Sequence, residues 1–162
     1  MTKPAKVLLL GLMFLMAIQT KAQDIQKWKL DDLRTAITKA DKPTIFNFWA
    51  TFCKPCIEEI PYIQQLVKKY EAKGVTLVLV SLDLPEAYPK IKGFAEKRKF
   101  TAPIVFLDES NADEFCPVVD ESWSGAIPAS LFINSKTGYR SFFEEQLTQE
   151  KVETEIKAMM GL

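Results

Sequence analysis

The chain contains no histidine among its 162 residues. That absence excludes Ser-His-Asp and Cys-His nucleophile sites, His-containing zinc sites and covalent haem attachment through C-x-x-C-H. Cysteine is scarce at three, an odd number, and a chain of this length builds a core without disulfide staples. Charge of either sign is not in excess, with 21 basic and 21 acidic side chains, so composition gives no nucleic-acid footprint. Internal repeats and low-complexity segments are missing as well, and the length is that of one domain.

The uncharged apolar run from Val7 to Ile18 follows Lys3 and Lys6 and precedes Thr20-Lys21-Ala22. This is the layout of a secretory signal peptide over residues 1–22, cut after Ala22. A membrane anchor is the alternative, but the run falls short of the roughly 20 residues that a bilayer-spanning helix needs. Cleavage would remove three lysines and leave a mildly acidic domain of residues 23–162. That domain is expected in the periplasm or otherwise exported, with no stable membrane insertion, in surroundings where disulfides persist.

Leu33 and Ile37 behind Asp31 and Asp32 predict a short helix from Leu30 to Lys39. Thr44 to Trp49, TIFNFW, reads as a buried strand after the turn Asp41-Lys42-Pro43. A helix from about Cys53 to Ala72 follows, with Ile60, Ile63, Val67 and Tyr70 on one face, a kink at Pro61 and Gly74 as its carboxyl-terminal cap. Val75 to Leu82 is a candidate central strand, Pro89 to Lys99 a helix and Ile104 to Leu107 a short strand. Ala129 to Ile133 and Tyr139 to Phe143 flank a turn-rich stretch and predict an antiparallel hairpin, and Thr148 caps a final helix that ends by Gly161. Together these elements predict an α/β fold, a mixed sheet with helices on both faces.

The chemistry is concentrated in FWATFCKPC, residues 48–56. A strand ending at Trp49 delivers Cys53 to a helix start, where unpaired N–H groups and the helix dipole stabilise a thiolate. Lys54 adds a nearby positive charge, and Cys56 lies one turn further in, less exposed. The pair can attack a disulfide with Cys53 and resolve the mixed disulfide with Cys56. A static disulfide and half of a metal site are the structural alternatives, but a four-cysteine zinc site needs a second C-x-x-C and Cys116 is the sole remaining thiol. Glu58 and Glu59 either simply suit the first turns of a helix or, in the case of Glu59, exchange a proton with Cys56 from a buried position that raises its pKa.

FNFWATFCKPC resembles the active-site segment of thioredoxin-fold proteins, and CIEEIP after it resembles the TlpA/ResA-type exported thiol-disulfide oxidoreductases. The likeness covers roughly residues 42–138 and includes SGAIPASLFI. It implies a thioredoxin-like sheet flanked by helices, a catalytic set of Cys53, Cys56 and Glu59, and no bound cofactor. It also implies that Ile127-Pro128 is cis, faces the dithiol and pairs with the substrate chain, with Trp49 and Phe52 as further substrate contacts. Oxidised protein substrates such as apocytochrome, and a membrane-embedded electron donor, are the partners implied, with the chain as reductant. Two departures from cytoplasmic thioredoxin stand out: Asn47 replaces a buried acid, and Phe52 replaces a tryptophan, losing an indole N–H. A redox-inactive peptide-binding module on the same fold is the rival expectation.

Three features read as bland. Cys116 lies in a stretch, residues 108–121, with six acids and no base, which disfavours its thiolate. Lys90, Lys92, Lys97, Arg98 and Lys99 read as a solvated face. Trp123 fits either a groove wall or ordinary core.

Overall fold

The computed structural model describes residues 24–162, so the expected signal peptide lies outside the described residues. β1 (Gln26–Trp28) is followed by α1 (Leu30–Thr38), β2 (Thr44–Trp49) and α2 (Lys54–Lys69). Then come β3 (Thr76–Ser81), α3 (Tyr88–Lys97), β4 (Ile104–Leu107) and α4 (Ala112–Val119). β5 (Ala129–Asn134), β6 (Tyr139–Phe143) and α5 (Gln149–Met159) close the chain.

The six strands form one sheet in the order β1-β4-β3-β2-β5-β6. β1 to β4 run parallel, while β5 is antiparallel to β2 and β6 to β5. The carboxyl ends of β2, β3 and β4 and the start of β5 therefore share one edge of the sheet.

Period-two alternation sorts the strand side chains into two cores. Ile45 and Trp49 of β2, Leu79 of β3 and Phe106 of β4 pack with Ile60 and Ile63 of α2, Ile91 of α3 and Ile156 of α5. Phe46 and Phe48, Val80 and Leu107 face the other way, onto Leu33 and Ile37 of α1 and Phe115 and Val119 of α4. The sheet is thus covered on both faces, which is why β2 and β5 are buried along their whole length.

Local chemistry sets the helix ends. The Lys29 N–H donates to Asp32 Oδ2 at 2.9 Å in the first turn of α1, and Thr148 Oγ1 accepts from the Lys151 N–H at 3.2 Å to start α5. Gly74, at φ 84°, closes a short 3-10 turn, Glu71–Lys73, that follows α2 rather than ending α2 itself. The expected kink at Pro61 does not interrupt α2, which continues through it. Proline removes one donor, for the Ile57 carbonyl, while buried Ile60, Ile63 and Leu66 hold the helix to the sheet on either side.

β1 and α4 extend the expected set of elements. β1 is too short to show alternation. In α4 the Asn111 side chain accepts from the Asp113 N–H at 3.1 Å, and Phe115 and Val119 are buried one turn apart. Pro117 inside this helix masks the pattern.

Candidate active site

Cys53 occupies the N-cap of α2, and its Sγ accepts from the Cys56 N–H at 3.3 Å. The two cysteines are joined in a disulfide. Cys53 is the more exposed partner, 7% against 0% for Cys56, as the helix start and the spacing predict. The Lys54 ammonium is solvated and lies 3.8 Å from Glu58, so part of its charge is answered by its own helix.

Glu59 is fully buried, whereas Glu58 is exposed. It lies three residues beyond Cys56 on the buried face of α2. The Asn47 Nδ2 donates to Glu59 Oε1 at 2.7 Å and the Leu147 N–H donates to Oε2 at 3.1 Å. Burial pushes the carboxyl up to about 7, and those two donors pull against the rise. Asn47, which faces α2 from the middle of β2, also donates to Ser130 Oγ at 3.0 Å, while its Oδ1 has no partner. Sequence reasoning singled out Asn47 for the acid it replaces; its role as donor to Glu59 appears only in the folded chain.

The residues expected to contact substrate divide. Phe52 is 72% exposed beside the dithiol, and Ile127 is half-buried. Trp49 is a correction, because it lies entirely inside the core, edge-on to Phe100 at 5.4 Å, and reaches no groove occupant. β2 ends with that side chain pointing under α2, so the aromatic surface is carried by Phe52 in the turn beyond. The Ile127-Pro128 bond is cis, as the resemblance implies. The Pro128 ring is buried, which leaves the Ile127 backbone as what this turn offers. Among the described residues, neither the N–H nor the C=O of Ile127 has a protein partner.

Two carboxylates that the sequence did not single out hold the loops around the disulfide. Asp83 is buried and accepts from the Thr51 N–H at 3.1 Å, the Thr51 hydroxyl and the Ser81 hydroxyl. It ties the turn before Cys53 to the end of β3. Glu144, just past β6, accepts from the Ser124 N–H at 3.1 Å, the Ser124 hydroxyl and the Ala126 N–H at 2.9 Å. These bonds hold its carboxyl below the ordinary range, the Ser124 hydroxyl most. An acid after a buried strand gives a weak signal for Asp83; nothing local marks Glu144, whose partners lie some twenty residues away.

Trp123 is core. It packs on Phe48, Phe115 and Phe142 and donates Nε1–H to the Ala126 carbonyl at 2.8 Å. Gly125, at φ +94°, turns the chain back over α4, where an added Cβ would meet Cys116 Sγ at 3.7 Å. Cys116 is buried, and its thiol is pushed up to about 11, first by burial and then by Glu144 and Asp113.

A groove of about 550 Å³ runs from Phe52 past Leu84 and Pro85 to Ile127, with Asp108 and Glu109 on its far wall. Among the described residues no helix is long and apolar enough to cross a membrane.

The family model described as AhpC/TSA matches residues 15–138. The chain is 33% identical over 112 residues to the thiol-disulfide oxidoreductase ResA of Oceanobacillus iheyensis, covering 69% of this chain and 54% of that protein. It is 28% identical over 118 residues to ResA of Geobacillus kaustophilus, covering 73% and 63%. The chain thus spans less than two thirds of the length of these curated relatives. A thiol:disulfide interchange protein of the thioredoxin family from Chlorobium tepidum superposes with a TM-score of 0.62 at 22% identity, over 78% of this chain and 85% of that one. With the mixed sheet, the cis proline and the dithiol at a helix start all in place, the chain belongs to the AhpC/TSA family and, within it, to the TlpA/ResA-type proteins of thioredoxin fold.

Proposed function

We propose that this chain is an exported thiol-disulfide oxidoreductase that reduces protein disulfides through Cys53 and Cys56. The observation that carries the reading is the placement of Cys53 Sγ at the N-cap of α2, accepting the Cys56 N–H, with Cys56 and Glu59 buried on the face behind it. The resemblance to proteins named thiol-disulfide oxidoreductase supports it.

In the reduced protein the Cys53 thiolate attacks one sulfur of a substrate disulfide. The substrate S–S bond breaks, a mixed disulfide forms, and the departing substrate thiolate takes a proton from solvent. Cys56 then loses its proton to Glu59, whose pKa near 7 suits it to accept. The Cys56 thiolate attacks Cys53 Sγ, which breaks the mixed disulfide, re-forms the internal disulfide seen here and releases the second substrate sulfur as a thiolate that takes a proton from solvent. Two electrons have moved to the substrate, and a two-electron donor must return them; the resemblance points to one embedded in the membrane.

The charges around the pair support the reductive direction of this proposal. A pair becomes a strong oxidant when its thiolate is stabilised. The helix start stabilises Cys53, but the acids of the surrounding loops oppose a further anion. This balance favours a reductant.

The experiment is a trap. With Cys56→Ser the attack proceeds and resolution fails, so mixed disulfides through Cys53 accumulate on exported proteins and vanish with Cys53→Ser. A Cys56→Ser protein that captures nothing, together with a wild type that fails to speed insulin reduction by dithiothreitol, would overturn the proposal.

A further inference from the structure

The balanced net charge hides a strong separation along the strands. At the edge that carries the disulfide, the β3–α3 connection supplies Glu86 and the β4–α4 connection Asp108 and Glu109. Glu144 and Glu145 follow β6 at the same edge. The bases there are Lys29 and Lys54, which pair with Asp108 at 3.1 Å and Glu58 at 3.8 Å, and Lys90 in the first turn of α3.

The opposite edge is the reverse. Lys39 and Lys42 lie before β2, Lys73 before β3, Arg98 and Lys99 before β4, and Lys136 in the β5–β6 turn, all exposed, against Asp24, Asp41 and Glu71. Lys42, Lys73 and Lys136 line one surface depression together. A neutral chain thus carries a dipole whose negative end surrounds the dithiol.

Within that negative field lies an apolar strip. Phe52, 72% exposed, and Leu84, 67% exposed, flank the groove that ends at Ile127, whose main-chain N–H and C=O are unpaired among the described residues. An unpaired N–H and C=O on one residue fit an extended backbone. Exposed aromatic and leucine side chains fit an apolar residue of that segment.

We infer that the groove takes an extended, disulfide-bearing segment whose cysteine is flanked by lysine or arginine. This rests on the oxidoreductase reading and adds to it the chemistry of the substrate. Long-range attraction raises the encounter rate of such a segment, and like charge repels an acidic one.

The test uses the reduced full chain and three synthetic peptides with the same intramolecular disulfide, flanked by lysines, glutamines or glutamates. Each reduction rate is divided by that of the same peptide with dithiothreitol, which cancels the peptide's own leaving-group effect. The normalised lysine rate should exceed the glutamate rate by about tenfold or more near 0.01 M salt, where charges act over about 30 Å. The ratio should fall toward one near 1 M, where the range is about 3 Å. In the double variant Glu86→Lys, Glu145→Lys, both sites being exposed and outside the dithiol machinery, the ratio should shrink at low salt. If all three peptides are reduced at equal normalised rates, or the glutamate peptide is fastest, the inference fails and the oxidoreductase reading stands. If none is reduced, both fail. The wild-type ratio decides even if the double variant does not fold.

Discussion

Replacing Glu59 by glutamine tests the buried carboxyl with a magnitude that follows from the structure. The folded protein holds this group at about 7 against an ordinary 4.5, chiefly through burial. Between those values the native state binds a proton that the unfolded chain has released, so stability falls as pH rises through the window and levels off above it. At 1.36 kcal/mol per tenfold change in acidity, the loss approaches about 3 kcal/mol by pH 8. Glutamine cannot titrate, so its stability should be flat over the same range. Its extra donor can be accommodated: turning the Asn47 amide, whose Oδ1 has no partner, lets that oxygen accept from the new amide and from the Ser130 hydroxyl. Urea unfolding of the oxidised wild type and of Glu59→Gln, at pH 5, 6, 7 and 8, measures the difference. The wild type should lose ground to the variant as pH rises, by most of that amount. Parallel profiles would refute the argument that Glu59 is protonated in the folded chain near neutrality.

Other outcomes follow from the same contacts. Asn47→Ala removes the 2.7 Å donor to Glu59 and should move the carboxyl titration, read from the carbon-13 shift of labelled glutamate, above about 7; a downward move would show that Asn47 does not hold the ionised form. Asp83→Asn sets an amide donor against the Thr51 and Ser81 donors and should cost about 1–3 kcal/mol of stability; an unchanged urea midpoint would contradict the anchoring of the Thr51 turn. In the reduced protein at pH 8, iodoacetamide should label Cys53 first and leave Cys116, pushed up to about 11, unmodified until the chain unfolds. Peptide mass mapping would expose an early-reacting Cys116.

The sequence by itself determined the order of most elements and the place of the sulfurs, because these depend on local signals. TIFNFW announces a buried strand by its composition, Thr148 a helix start, and the C-x-x-C spacing one helical turn. Even the split of Glu58 from Glu59 was available as two options at adjacent helix positions. What remained undecided depended on partners distant in the chain. Whether Glu59 is buried rests on Asn47 and on the Leu147 N–H, 88 residues further on. Trp49 and Trp123 are core rather than groove because of rings contributed by α3, α4 and β6. Glu144 reaches back to the turn ahead of Pro128. The charge separation, too, has no local trace, since its residues alternate along the chain and are sorted only when parallel strands bring their like ends to one edge. Periodicity and capping act over a few residues and can be read along a line. Burial and field are sums over neighbours in space, and only the closed sheet says which residues those neighbours are.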